Sequence, residues 1–190
     1  MLLQETENRH SEGGFTLVDV VDQDDWKAYH HIRRTVLFDT RGVSGYDANH
    51  PDEHSPTNHP LLLKHDGRDA VGTVRLDQRS AGGGITRLVA IRSDYQRCGL
   101  GRLMMGLVET RALSLAMDTL YVNSAPDAVG FYERIGFRPF PFDPSDLTGI
   151  AAGCVQMRKP LRGFDHAASA RSMRTGSATP GRRIARIQPK

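Results

Sequence analysis

One stretch of the chain has the residue types and spacing to hold an anion. Residues 85–91 (Ile-Thr-Arg-Leu-Val-Ala-Ile) alternate like a strand, and a polar loop follows with Gln96, Arg97, Cys98, Gly99, Leu100, Gly101 and Arg102 before a helical pattern begins. Glycines in such a loop let a ligand come close to the main chain. The first turn of a helix has N–H groups with no intrahelical partner, and the helix dipole adds partial positive charge there. A pyrophosphate suits that end, and Arg97 and Arg102 add two cations. On the local pattern alone, a phosphate loop and a plain glycine-bearing turn are both admissible. A P-loop requires a Lys-Ser/Thr pair that is absent here. A dinucleotide turn requires Gly-x-Gly-x-x-Gly directly after its strand, whereas Met104 holds the third position and a loop intervenes after Ile91.

Other reactive side chains are scattered. Cys98 lies near a helix start, where a thiol pKa falls, but no His is fixed beside it by sequence. Cys98 and Cys154 form no Cys-x-x-Cys pair and read as free thiols. Asp47, His50, Asp52, Glu53, His54 and His59 crowd residues 41–60, but their spacing matches no helical or knuckle ligand pair, so no metal is expected.

The elements that must position these groups follow from periodicity. Residues 15–21 alternate as a first strand, and Asp22 or Asp24 can cap a helix on which Trp26, Tyr29, Ile32, Arg33, Val36 and Leu37 recur. That pattern fails near Gly42, and residues 41–60 read as a long loop with room for one short helix. Residues 61–64 and 70–76 read as strands joined by a turn at 65–68, and Gly82, Gly83 and Gly84 as a turn before the strand at 85–91. A helix over residues 101–116 should carry Leu103, Met104, Leu107, Val108, Ala112 and Leu115 on one face. Because that helix links the strands at 85–91 and 120–123, the two should be parallel neighbours. Pro126 opens a further helix that Gly136 ends, and residues 154–159 form a last strand.

The chain has 190 residues, 38% of them hydrophobic and 25% charged, which suits one globular domain. The polar N-terminus, residues 1–14, reads as flexible and has no apolar leader, so a cytoplasmic location is expected, with no membrane span. Residues 161–190 carry seven basic residues and one acid, a charge of +6, while the other 160 residues carry −3. That tail has few large apolar residues and reads as disordered. Its arginines are scattered and Phe164 is its only aromatic, so specific nucleic-acid binding is not expected.

The glycine loop resembles the coenzyme A loop of the GNAT superfamily of N-acetyltransferases. A second match lies at the right distance: Asn123, then residues 128–137, Ala-Val-Gly-Phe-Tyr-Glu-Arg-Ile-Gly-Phe, similar to that family's "Ala-Val-x-Phe-Tyr-x-x-x-Gly-Phe" segment. The resemblance spans residues 15–160. It implies an α/β fold with a central, mostly antiparallel mixed sheet flanked by helices, and a V-shaped splay between two parallel strands. It also implies acetyl-CoA as co-substrate and direct transfer of the acetyl group to a primary amine of a small molecule or peptide. Main-chain groups of Leu88, Val89 and Ala90 would meet the pantetheine arm, and the loop from Gln96 through Arg97, Cys98, Gly99, Leu100, Gly101 and Arg102 would hold the pyrophosphate. Tyr132 would protonate the departing thiolate. Asn123 is either a cofactor contact or a strand-end turn residue.

Residues 32–38 and Arg41-Gly42-Val43 are similar to a subgroup of predicted acetyltransferases that names no substrate. The chain departs from that subgroup at Thr40-Arg41, where a Glu-Gln pair is usual, and it lacks a His in residues 149–154. In this fold the acids at 47–53 border the acceptor pocket and would suit a cationic amine, although each by itself reads as part of a solvated loop. A homodimer is an open option. A CoA-binding sensor with the same fold is the alternative to an enzyme.

Overall fold

The computed structural model describes residues 10–79 and 82–161. Of the tail read at 161–190, Leu161 is described and the rest lies outside the described residues. Eight strands form one sheet: β1 (His10–Glu12), β2 (Phe15–Asp19), β3 (Asn58–His65), β4 (Asp69–Gln78), β5 (Gly83–Ile91), β6 (Thr119–Ser124), β7 (Arg138–Pro139) and β8 (Val155–Pro160), in the order β1-β2-β3-β4-β5-β6-β8-β7. Neighbours are antiparallel except β5 and β6, which run parallel as the connecting helix requires. Helices α1 (Gln23–Arg33), α2 (Leu100–Ser114) and α3 (Val129–Arg134) flank the sheet.

Local chemistry explains the helix that leads into the loop after Gly42. Asp22 caps α1 by accepting from the Asp25 N–H at 2.8 Å, and Asp24 and Asp25 sit where the dipole favours acids. Beyond Arg33 the coil widens into a π-helical turn over Arg34–Phe38, tightens over Asp39–Arg41 and stops at Gly42, whose φ of 64° is the left-handed conformation glycine tolerates best.

Strand alternation divides the interior in two. Leu61, Leu63, Val74 and Leu76 face α2, whose Met104, Met105, Leu107 and Val108 are buried against them. Leu62 and Ala90 face α1 and pack with Tyr29 and Ile32. Two segments differ from the sequence pattern. His10–Glu12, within the stretch read as flexible, adds an edge strand to β2. β3 begins at Asn58, inside the stretch read as loop, because β4 offers Asn58, His59 and Pro60 ladder partners at Asp77, Leu76 and Arg75. Among the described residues no helix is long and apolar enough to cross a membrane.

Candidate active site

β5 departs from both neighbours at one level. Towards β4, Arg75 pairs with Arg87 and Thr73 with Ala90, so Leu88 and Val89 together oppose Val74 in a bulge. Leu88 adopts a φ of 51°, which a branched side chain takes only under constraint. Towards β6, the ladder ends at Thr86 opposite Val122, and among the described residues the rest of β5 has no strand partner on that side. A cavity of about 430 Å³ opens at this parting. Leu88, Val89, Val122, Asn123 and Tyr132 line it on the sheet side, and Leu37, Phe38, Val43, Tyr46, Asp47 and Asp52 on the loop side.

Of the residues expected to act, Leu88, Val89, Asn123 and Tyr132 reach this cavity. Tyr132 is 5% exposed, packed edge-on against Phe131 and Phe137. Its hydroxyl makes no hydrogen bond among the described residues, and burial, with a smaller contribution from Cys154, pushes its pKa well above the ordinary tyrosine value. Asn123 is already engaged: its Oδ1 accepts from Gln156 at 3.1 Å, and its Nδ2 donates to Asp146 at 3.4 Å. Cys154 lines the cavity as a free thiol whose pKa burial raises, which disfavours the thiolate.

Ala90 and the residues Gln96 to Arg102 are not part of the cavity lining and follow it along the chain, beyond Val89. Ala90 is buried against α1. Gln96, Arg97, Cys98, Gly99 and Arg102 are exposed. Gln96 donates from Nε2 to the Ile91 carbonyl at 2.8 Å and ties the loop back to its strand. Arg97 and Gly99 both take positive φ, 63° and 84°. The first main-chain bond of α2 runs from the Leu103 N–H to the Gly99 carbonyl, so among the described residues the amides of Gly99 through Arg102 have no partner. Gly101 adds a packing constraint: a Cβ there would stand 3.4 Å from the Phe131 ring.

Sequence reasoning missed the ionic lattice that forms the cavity floor. Glu53, read as one acid of a solvated loop, is 4% exposed. It accepts from Tyr29 at 2.9 Å, from Arg33 at 2.8 Å and from Arg75 at 2.6 Å. Arg75 grips Asp77 through two nitrogens, Arg87 donates to the same Asp77, and Nη2 of Arg87 also reaches both carboxylate oxygens of Asp146. Burial alone would raise the Glu53 pKa, but Arg33 and Arg75 hold it below the usual carboxylate value. The available signal was in β4, where Thr73, Arg75 and Asp77 alternate with Val74 and Leu76: a strand with charges at every second position inside a sheet must bury them in pairs. Among the described residues no three His, Cys, Asp or Glu side chains are arranged to hold a metal.

The arrangement can hold an extended chain along the free edge of β5, an anion at the start of α2 and a second reactant in the cavity between them. Solved structures share this fold. A GNAT-family acetyltransferase from Staphylococcus aureus superposes with a TM-score of 0.65 at 13% identity, over 78% of this chain and 99% of that one. The ribosomal-protein-S18-alanine N-acetyltransferase from Escherichia coli gives 0.59 at 18% identity, over 80% and 97%. N-acetylglutamate synthase from Neisseria gonorrhoeae, solved with coenzyme A and L-arginine, gives 0.61 at 15% identity, over 80% of this chain and 34% of that one. No curated protein matches the chain in sequence. Residues 47–159, more than half the chain and the span from the loop before β3 to the last strand, match the acetyltransferase (GNAT) domain family. With the parted β5–β6 pair and the bulge at Leu88 in place, the chain belongs to that family of acetyltransferases.

Proposed function

We propose that the protein moves an acetyl group from acetyl-CoA to a primary amine of a small molecule or peptide, by direct attack and without an acyl-enzyme. The observation that carries this reading is the Tyr132 hydroxyl, unpartnered and held protonated, on the wall of a cavity that opens where β5 and β6 part. The residues present fit the co-substrate. The unpartnered amides at the start of α2, with Arg97 and Arg102 beside them, suit a pyrophosphate, and the free edge of β5 from Leu88 to Ala90 suits the amide groups of an extended arm. Acetyl-CoA supplies an activated thioester carbonyl.

The chain's own groups do the rest. A buried tyrosine with a raised pKa keeps its proton across the working range, and a thiolate expelled into the same dry cavity is made more basic by the same desolvation, so that it can take that proton as the carbon–sulfur bond breaks. The acceptor nitrogen gives up two protons in all. One leaves before attack, so that the lone pair is free, and one as the amide forms. The second replaces the proton Tyr132 has donated, which balances the cycle. Asp47 and Asp52 on the cavity wall favour a cationic amine, and the apolar Leu37, Phe38 and Val43 favour a carbon stem beside it. Asn123 then acts by holding Asp146 and Gln156 in place.

The test is CoA release from acetyl-CoA with the purified full chain and a panel of amines, polyamines, aminoglycosides and peptide N-termini. Amine-dependent release that collapses in Tyr132→Phe is the expected result. Tight acetyl-CoA binding with no release for any amine would favour the sensor alternative.

A further inference from the structure

We propose that Tyr46 and His30 form the proton exit of the acceptor side: Tyr46 takes a proton from the incoming ammonium while passing its own hydroxyl proton to Nδ1 of His30. This rests on the amine-acetylation reading given above. Tyr46 lines the same cavity as Tyr132, but on the loop wall, so the two hydroxyl-bearing rings flank the space between them. The Tyr46 hydroxyl lies 2.6 Å from His30 Nδ1, a short contact for a tyrosine and an imidazole. The His30 ring is fixed by stacking on Trp26, at 5.3 Å and 21°, and by the Tyr29 ring edge at 5.3 Å. It is half-buried, so a proton received there has a route to solvent.

The charged surroundings set the direction of the bond. Arg33 and Arg34 face His30 from the end of α1, and Glu53 and His54 face it from the turn Pro51–His54. Burial is the main influence on the imidazole. Together with Arg33, His54 and Arg34 it outweighs Glu53 and holds His30 below its ordinary pKa. Burial likewise holds Tyr46 above the usual tyrosine value, aided by Glu53 and opposed by Arg33 and Arg34. The relay uses the neutral imidazole tautomer with its proton on Nε2, in which Nδ1 accepts and the Tyr46 hydroxyl donates.

The carboxylates near the cavity are worse placed to receive a proton. Glu53 already accepts three hydrogen bonds, two of them from cations. Asp52 lies 3.4 Å from Arg75, and Asp47 spends an oxygen on the Asn49 N–H. An imidazole also lies nearer the working pH than a carboxylate of pKa about 4.

The step balances without any further reactant. The ammonium nitrogen loses one proton to the Tyr46 oxygen, and the Tyr46 O–H bond breaks as an N–H bond forms on His30. The products are a neutral amine, a restored Tyr46 hydroxyl and a His30 imidazolium. Glu53 favours that imidazolium until it sheds its proton to water.

The experiment compares two probe amines with acetyl-CoA and the full chain: benzylamine, protonated at neutral pH, and hydroxylamine, largely neutral there. Tyr46→Phe and His30→Gln should each lower kcat/KM for benzylamine about 10²-fold near pH 7, with the loss shrinking as pH rises, and should barely change the value for hydroxylamine. In parallel, NMR titration of His30 should give a midpoint below about 6.5 that moves up in Tyr46→Phe, where the donor to Nδ1 is gone. Equal losses for both amines with parallel pH profiles, or a His30 midpoint unmoved by Tyr46→Phe, would overturn the relay while leaving acetylation intact. Wild-type protein that releases CoA with neither of these amines nor any member of the panel above would bring down the acetylation reading and the relay together.

Discussion

Removing the Glu53 carboxylate should cost more than any other single change in the cavity floor. Its three donors are Tyr29, Arg33 and Arg75. Arg75 keeps its two bonds to Asp77 when Glu53 is lost. Arg33 keeps nothing comparable: it is 0% exposed, its Nε and Nη2 have no hydrogen-bond partner among the described residues, and neutral rings are its remaining neighbours, Tyr29 lying 3.9 Å below the guanidinium carbon. Glu53→Ala therefore leaves a buried cation uncompensated, a change worth about 3–5 kcal/mol. For a domain of this size that corresponds to a fall in Tm of about 6–20 °C. The assay is urea and thermal unfolding of wild type, Glu53→Ala, Arg33→Met and the double variant. Because the two side chains share one interaction, the double variant should be less destabilised than the sum of the singles. The pH dependence has a definite sign. The folded-state pKa of Glu53 is lowered, so its contribution is present above the unfolded value near 4.5 and is lost as pH falls through the lower folded value. The wild type should thus lose stability on acidification more steeply than Glu53→Ala. A loss below about 1 kcal/mol in Glu53→Ala at pH 7, or parallel acid profiles, would refute the lattice as a stabilising unit.

Tyr132→Phe keeps the ring against Phe131 and Phe137 and removes one proton donor, so kcat should fall by about 10²–10⁴-fold with acetyl-CoA affinity nearly unchanged, read by single-turnover kinetics and calorimetry. Gly99→Ala meets nothing within 4 Å but must hold a φ of 84°, and should cost about 1–2 kcal/mol in unfolding experiments while the chain stays folded. Gly101→Val should lose stability by displacing Phe131 in addition to any loss of acetyl-CoA affinity, so melting curves and calorimetry must be read together. Truncation after Leu161 should leave Tm unchanged, whereas truncation before it should lower Tm, because Leu161 is 8% exposed and its N–H donates to the Asp118 carbonyl at 2.7 Å.

The sequence by itself determined the parts of this protein that depend on neighbours along the chain. The strand at 85–91, the glycine loop and the helix beyond it are local patterns, and a helix linking two strands makes them parallel, so the β5–β6 pairing was legible before any coordinates. The capped start of α1, the end of the helical run at Gly42 and the helix containing Tyr132 were legible for the same reason. Tertiary structure alone decided what the charged side chains do. Glu53, Asp47 and Asp52 look alike in a polar loop, yet Glu53 is buried between cations 20 and 22 residues away, while Asp47 and Asp52 face the cavity. Asp146 meets Arg87 across 59 residues, and Tyr46 meets His30 only because the chain after Gly42 folds back over α1. A carboxylate in water and a carboxylate in a salt bridge have the same letter in the sequence. Which of them forms depends on whether the fold removes its water and supplies a partner, and that is settled by contacts no local pattern encodes.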